Sequence, residues 1–212
     1  MGGIMDQFSF VFTIFFMLLG PLKIIPAFAG VTRGADDQFS RALAIRAAVI
    51  ASIVVAVVAL TGERLLSQYR ISFEGLRIAA GLVLLLAALN TIFSKTQPPP
   101  AKSDNVSVLQ LAVSPMATPV IVPPAGVAAI LTFMMLAPEY PGMLHAVAIA
   151  LTIIMLLDFL VMYFHKTIMK LPGLILVLQL AGAVLVFMQA ALAVQVMLTA
   201  LLHLGIIPGP GP

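Results

Sequence analysis

Three residues that resist both helix and hydrocarbon stand close together in the first apolar stretch of this chain. It reads GPLKIIPAF from Gly20 to Phe28, with Pro21 and Pro26 on either side of Lys23. Proline removes a backbone donor and clashes with the preceding turn, at about 3 kcal/mol or more in a helix interior. Backbone groups freed in this way are costly in hydrocarbon unless something satisfies them. A lysine near mid-membrane costs at least about 2.5 kcal/mol on insertion scales, so such side chains face a cavity or an opposite charge. A second cluster of breakers follows in SPMATPVIVPPAG, with Pro115, Pro119, Pro123, Pro124 and Gly126. The half-helices left by such breaks expose N–H groups that attract a carboxylate, and carbonyls that suit an ammonium or a cation. A zwitterionic amino acid presents both charges. The candidate ligand-binding positions are therefore Gly20, Pro21, Lys23 and Pro26 in the first cluster. In the second they are Thr118, Pro119, Pro123, Pro124 and Gly126. Asp158 is the one acid well inside an apolar stretch. Two readings stand for it: a gate or proton site paired with Lys23, or an interfacial acid one or two turns from the basic segment HKTIMK.

The elements that must position these residues are long and apolar. Of the 212 residues, 62% are hydrophobic and 9% charged, where a soluble domain carries roughly 25% charged residues. The mean hydropathy is +1.16. Six stretches are long enough to cross a hydrocarbon core, at about 8–31, 42–62, 72–94, 106–137, 143–165 and 173–204. The expected fold is an all-α integral membrane bundle. Its organisation is a first three-helix repeat over 1–96, a linker over 97–105 containing QPPPAKSDN, a second repeat over 106–207 and a tail over 208–212. Pro21 and Pro26 recur as Pro119 and Pro124, and AGLVL from Ala80 recurs as AGAVL from Ala181. An odd number of spans in each half makes such a repeat inverted. The first and fourth spans are the broken ones.

Basic residues orient the chain. Loops one, three and five and their flanks hold seven: Arg33, Arg41, Arg46, Lys95, Lys102, Lys166 and Lys170. Loop two holds Arg64, Arg70 and Arg77, and loop four holds none. The positive-inside rule then places the odd loops in the cytoplasm and both termini outside. The start of the chain shows no signal-peptide pattern. The sequence contains no cysteine, which excludes disulfides, thiolate metal sites and thiol nucleophiles. His145, His165 and His203 lack metal-site spacing, and His145 and His165 read as interfacial residues at span ends. No metal, cofactor or nucleic-acid partner is expected. The small residues Ala79–Gly81 and Ala181–Gly182 are expected to allow close helix contact. Among neutral polar residues in the spans, Asn90, Gln189 and Gln195 read as pathway or helix-bridging groups, and Thr118 as a pathway group at the second break.

The chain also resembles the MarC/SnatA family of six-span inner-membrane proteins over nearly its whole length. The family's first span carries Asp-Pro-x-Gly-Asn-x-Pro-x-Phe, matched here by Pro21, Pro26 and Phe28. Its fourth carries Pro-Leu-Ala-x-Pro followed by Gly-Pro-Gly, matched by Pro115, Ala117, Pro119 and Pro124. The third and sixth spans resemble RISFEGLRIAAGLVLLLAAL and LQLAGAVLVFMQAALAVQ. The resemblance implies transport of small neutral amino acids such as alanine and glycine, coupled to a proton or sodium gradient or acting as export. The chain departs from the motif at Gly20 (family Asp), Lys23 (family Gly) and Ile24 (family Asn). In the fourth span Pro123 and Ala125 replace the motif glycines, with Gly126 displaced by one. The resemblance adds Ile24 to the candidate site and makes Lys23 a new cation there, able to draw a more acidic ligand or replace a coupling ion. No Walker A loop is present, so a gradient must supply the energy. The rival expectations are a non-transporting assembly or sensor subunit that keeps the scaffold, and an intramembrane lipid or quinone enzyme. The expected partners are the lipid bilayer and a small-molecule substrate.

Overall fold

The computed structural model describes residues 2–93, 107–170 and 173–208. The expected linker over 97–105, with Lys102, and nearly all of the tail lie outside these. Among the described residues the chain is helical. The first span, Met5–Val31, consists of α1 (Gly2–Leu19) and α2 (Ile24–Val31). Then come α3 (Asp37–Gln68) and α4 (Phe73–Phe93). The fourth span begins with α5 (Val108–Leu111) and a wide-turned segment Ala112–Ile121, then bends by 59° into α6 (Pro124–Leu136). It is followed by α7 (Met143–Tyr163), the short α8 (His165–Ile168) and α9 (Leu174–His203). Among the described residues five helices are long and apolar enough to cross a membrane, and the bent pair brings the number to six if it is counted as one span.

Helix starts follow local chemistry. Asp36 accepts the Phe39 N–H at 2.7 Å ahead of α3, and Ser72 accepts the Gly75 N–H at 3.1 Å ahead of α4. Ser107 and Gln110 form a reciprocal capping box on α5. Gly142 and Gly173, at φ +91° and +79°, make the left-handed turns into α7 and α9. The third helix is longer than its apolar stretch of 42–62. At 32 residues it measures about 48 Å against a core of about 30 Å, so its charged ends stand clear of hydrocarbon.

The core is an interior of side chains from α1, α2, α3, the segment Ala112–Ile121, α6 and α7, with Leu84 of α4 and Ala193 of α9. Ser40, Leu43, Ala44, Ala47, Ala51 and Val55 make a buried stripe at helical spacing down α3. The Phe133 ring meets Phe15 and Phe10 edge-on at 5.3 and 6.0 Å, which seats α6 on α1. Leu60, Phe93, Phe187 and Val184 face outward with more than half of their surface open, as suits a bundle whose surroundings are lipid.

The α4–α9 pair is the most extensive contact. A Cβ on Gly81 would lie 2.4 Å from Met197 Cγ and 2.8 Å from the Ala193 carbonyl oxygen, so the expected close approach at Ala79–Gly81 is present. The matching expectation for Ala181–Gly182 fails, because a Cβ on Gly182 meets nothing within 4 Å; that glycine borders a cavity instead. Gly81→Ala should therefore cost about 1–3 kcal/mol by overpacking against a backbone atom. Gly182→Ala should be neutral or stabilising by up to about 1 kcal/mol through helix propensity. Thermal unfolding of the two variants in detergent, followed by circular dichroism, measures both.

Candidate functional site

The first break forms as the proline pattern requires. The Gly20 N–H still reaches the Phe16 carbonyl at 3.0 Å, Pro21 has no N–H to continue the ladder, and the chain turns once. The Pro21 carbonyl then accepts the Ile24 and Ile25 N–H groups at 3.0 and 3.2 Å, which starts α2. The turn is too tight for a side chain at position 20, where a Cβ would stand 2.1 Å from the Phe16 carbonyl oxygen. An aspartate there would require this backbone to move, so the departure at Gly20 and the shape of the break belong together. Lys23 is the N-cap residue of α2, and no side chain caps that end.

The break opens onto a cavity of about 630 Å³. Gly20, Lys23 and Pro26 line it from the first span, Thr91 from α4, and Gly182 and Gln189 from α9, with apolar side chains making up the rest. Pro21 and Ile24 are buried in the packing behind it. Gln189 donates its side-chain amide to the Leu84 carbonyl at 3.2 Å, which fixes its position across the α4–α9 seam. A larger groove of about 850 Å³ runs between α3 and α7, but no ionisable side chain lines it.

The second break lies close to the first without sharing its cavity. Gly126 is buried where a Cβ would meet Leu19 Cδ2 at 2.4 Å, so the start of α6 rests on the end of α1. Thr118, Pro119 and Pro124 are exposed, and Pro123 holds the extended N-cap position of α6. Ser114 and Thr118 have extended dihedral angles, and each precedes a cis proline, Pro115 and Pro119. The Thr118 hydroxyl turns back to the Val113 carbonyl at 3.4 Å. None of the fourth-span candidates lines the Lys23 cavity, whereas Gln189 and Thr91 do.

Asp158 lies on the buried face of α7, in line with Leu151, Ile154, Met155 and Met162, and is only 1% exposed. Whichever of its two readings holds, the carboxylate is inside the protein and not on its surface. Neither of its oxygens has a hydrogen-bond partner among the described residues. Lys23 acts on it through its charge without touching it. A bare carboxylate in such a place is costly.

The sequence reading missed His165. It was expected at the interface, but the ring is 5% exposed and clamped from three sides. Its Nδ1–H donates to the Met162 carbonyl at 2.9 Å, its Nε2 stands 3.2 Å from the Thr32 hydroxyl, and the Phe28 ring packs edge-on at 4.8 Å. Thr32 also lies 2.8 Å from the Phe28 carbonyl, so its single hydroxyl proton chooses between that carbonyl and a neutral Nε2. Beside it, Lys166 donates to the Ala35 carbonyl at 3.0 Å and pairs with Asp37. The far end of α2 is thus tied to the α7–α8 corner.

Five to six apolar spans and ionisable groups held inside the bundle define a multi-pass integral membrane protein. The chain belongs to the MarC family of integral membrane proteins, whose family model matches residues 5–204. The UPF0056 inner membrane protein YhgN of Escherichia coli (strain K12) is 28% identical over 148 residues, covering 69% of this chain and 72% of that protein. The UPF0056 membrane protein YvbG of Bacillus subtilis (strain 168) is 24% identical over 167 residues, or 75% and 78% of the two chains. A UPF0056 membrane protein of Archaeoglobus fulgidus is 25% identical over 130 residues, or 60% and 61%. No solved structure matches the chain.

Burial holds the His165 imidazole below its ordinary value of 6.5, outweighing the Met162 hydrogen bond that favours the charged form. A depressed histidine lets the unfolded chain take up the proton first. Its contribution to stability is full above about 6.5 and is lost as pH falls through the folded-state value. Melting temperature in detergent should therefore drop between pH 7.5 and 5, and His165→Gln should flatten that drop.

Proposed function

We propose that this protein is a secondary transporter of small amino acids or related carboxylate metabolites, with its site at the first-span break. The observation that carries this reading is the cavity at the break, with Lys23 on its wall and an unpaired buried carboxylate, Asp158, within its electrostatic reach. Discontinuous helices that expose polar groups to a cavity inside a membrane bundle are how transporters build their sites. Asp158 is the coupling residue: a proton or small cation arriving there relieves the cost of its bare charge. The substrate meets Lys23 at the start of α2. We read the protein as a transporter rather than an enzyme.

Reciprocal packing supports the inverted repeat. α4 lies on α9 and α3 on α7, which are equivalent helices of the two halves; α1 lies on α7 while Ala112–Ile121 lies on α3. Exchange of partners in this manner is what a two-fold axis in the membrane plane produces. The basic residues of the odd loops support cytoplasmic placement of those loops, with both termini outside. The printed name of the Escherichia coli relative supports the inner membrane as the location.

Reconstitution into liposomes tests the reading. Radiolabelled alanine, glycine and small organic acids are offered under imposed proton or sodium gradients. The intact protein should accumulate at least one of them against its gradient. Asp158→Asn should lower gradient-driven accumulation by tenfold or more, on the order of the roughly 1.4 kcal/mol that a tenfold change represents, and retain exchange of labelled for unlabelled substrate. Absence of both accumulation and exchange in correctly folded protein would return the chain to the non-transporting reading.

A further inference from the structure

We infer that the cavity at the first-span break binds a small organic anion with one carboxylate, an apolar body and no ammonium group. This deepens the transport reading, on which the movement of the ligand rests, and it selects carboxylate metabolites over zwitterionic amino acids. Two positive features meet on one wall. Among the described residues, Lys23 is the only charged side chain that lines the cavity. It is also the N-cap of the eight-residue α2, whose dipole favours negative charge at the same place, while the Ile24 and Ile25 N–H groups are already taken by the Pro21 carbonyl. Gly20 and Gly182 line the cavity without side chains, which allows close approach to the backbone.

Nothing on the opposite wall answers an ammonium. Among the described residues no acidic side chain lines the cavity, and Asp158 belongs to the buried face of α7. Gln189 gives one amide N–H to Leu84, which leaves its carbonyl oxygen as a neutral acceptor and its second N–H as a neutral donor, and the Thr91 hydroxyl donates to the Ala87 carbonyl at 2.9 Å. Neutral acceptors suit a ligand hydroxyl. They offset little of the cost of dehydrating an ammonium. The remaining lining is apolar, including Phe16, Met17 and Leu185, and fits a short hydrocarbon body.

Lactate and alanine are close in size and differ in carrying a hydroxyl or an ammonium, so the pair isolates the question. The experiment is equilibrium dialysis of the detergent-purified full chain with radiolabelled lactate, competed by propionate, alanine, isopropylamine and laurate. Lactate and propionate should bind at least about tenfold more tightly than alanine, the scale of one charge-assisted contact, and isopropylamine should not compete. Lys23→Met should lose about tenfold or more in lactate affinity, and Lys23→Arg should keep most of it. Alanine competing as well as propionate would overturn the inference. So would unchanged lactate binding in Lys23→Met, or laurate displacing lactate at far lower concentration than propionate, which would make the occupant a membrane fatty acid. If Lys23→Met fails to fold by circular dichroism, the wild-type comparison of lactate with alanine decides alone. The same preparation in liposomes separates the two readings: lactate bound but not moved supports the site and removes only transport.

Discussion

Hydrocarbon offers no hydrogen bonds, and the rest of this structure depends on that. A membrane helix is stable because each backbone donor finds its acceptor within the same segment. Where Pro21 interrupts the ladder, the Pro21 carbonyl takes two N–H groups from the next turn, and the chain resumes as α2 after one tight loop. The break opens onto the cavity that Gly20, Lys23 and Pro26 line. Gly20 belongs to the same solution, since a side chain there would collide with the Phe16 carbonyl. The fourth span meets the constraint differently: it bends by 59°, with Pro123 extended and Pro124 in the first turn of α6, where a missing N–H costs nothing.

Much of this was legible because proline, lysine and long apolar runs have consequences that do not depend on distant contacts. The six spans, the two breaks and the placement of Lys23 at the first of them follow from local chemistry. What was not legible depends on partners far away in sequence. His165 looks like any polar residue at a span end until Thr32, 133 positions earlier, is brought against it. Gln189 and Thr118 are equally polar in sequence, yet α4 packing brings only Gln189 to the cavity. Gly81 and Gly182 occupy equivalent motifs, but one is pressed against a carbonyl and the other stands open. Local sequence states that a small residue is present; only packing states what the missing side chain makes room for. The length of α3 was missed for another reason: charge ends a hydrophobic run without ending a helix.

The two ends of the bundle are held differently, and this bears on which parts can move. At the end where α4 begins and α9 finishes, Glu74, Arg77 and His203 cluster within 3.0–3.8 Å of one another, and Arg77 lies over the Phe73 ring at 3.9 Å. Together with the Gly81 contact, this makes α4 and α9 one body. At the opposite end α2, about 12 Å long, is joined to α1 only through the break and to the α7–α8 corner through Thr32, Phe28 and His165. A displacement of α2 would change the wall that carries Lys23 and leave α4 and α9, which carry Thr91 and Gln189, in place.

Lys23, Asp158 and His165 lie in the same half of the bundle, toward loops one and five, and this grouping links ligand, charge and motion. Asp158 and His165 share a face of α7 and α8 seven residues apart, and both are buried. Lys23 caps the short helix whose other end His165 grips. A change of charge at Asp158 alters the field at Lys23, and a change of charge at His165 alters which acceptor the Thr32 hydroxyl chooses. Both therefore act on α2, one through its N-terminus and the other through its C-terminus. An anion entering beside Lys23 meets the same helix. On the transport reading proposed above, the short post-break helix is where substrate charge and protonation would act on a common element, and the break in the first span is what separates that element from α1.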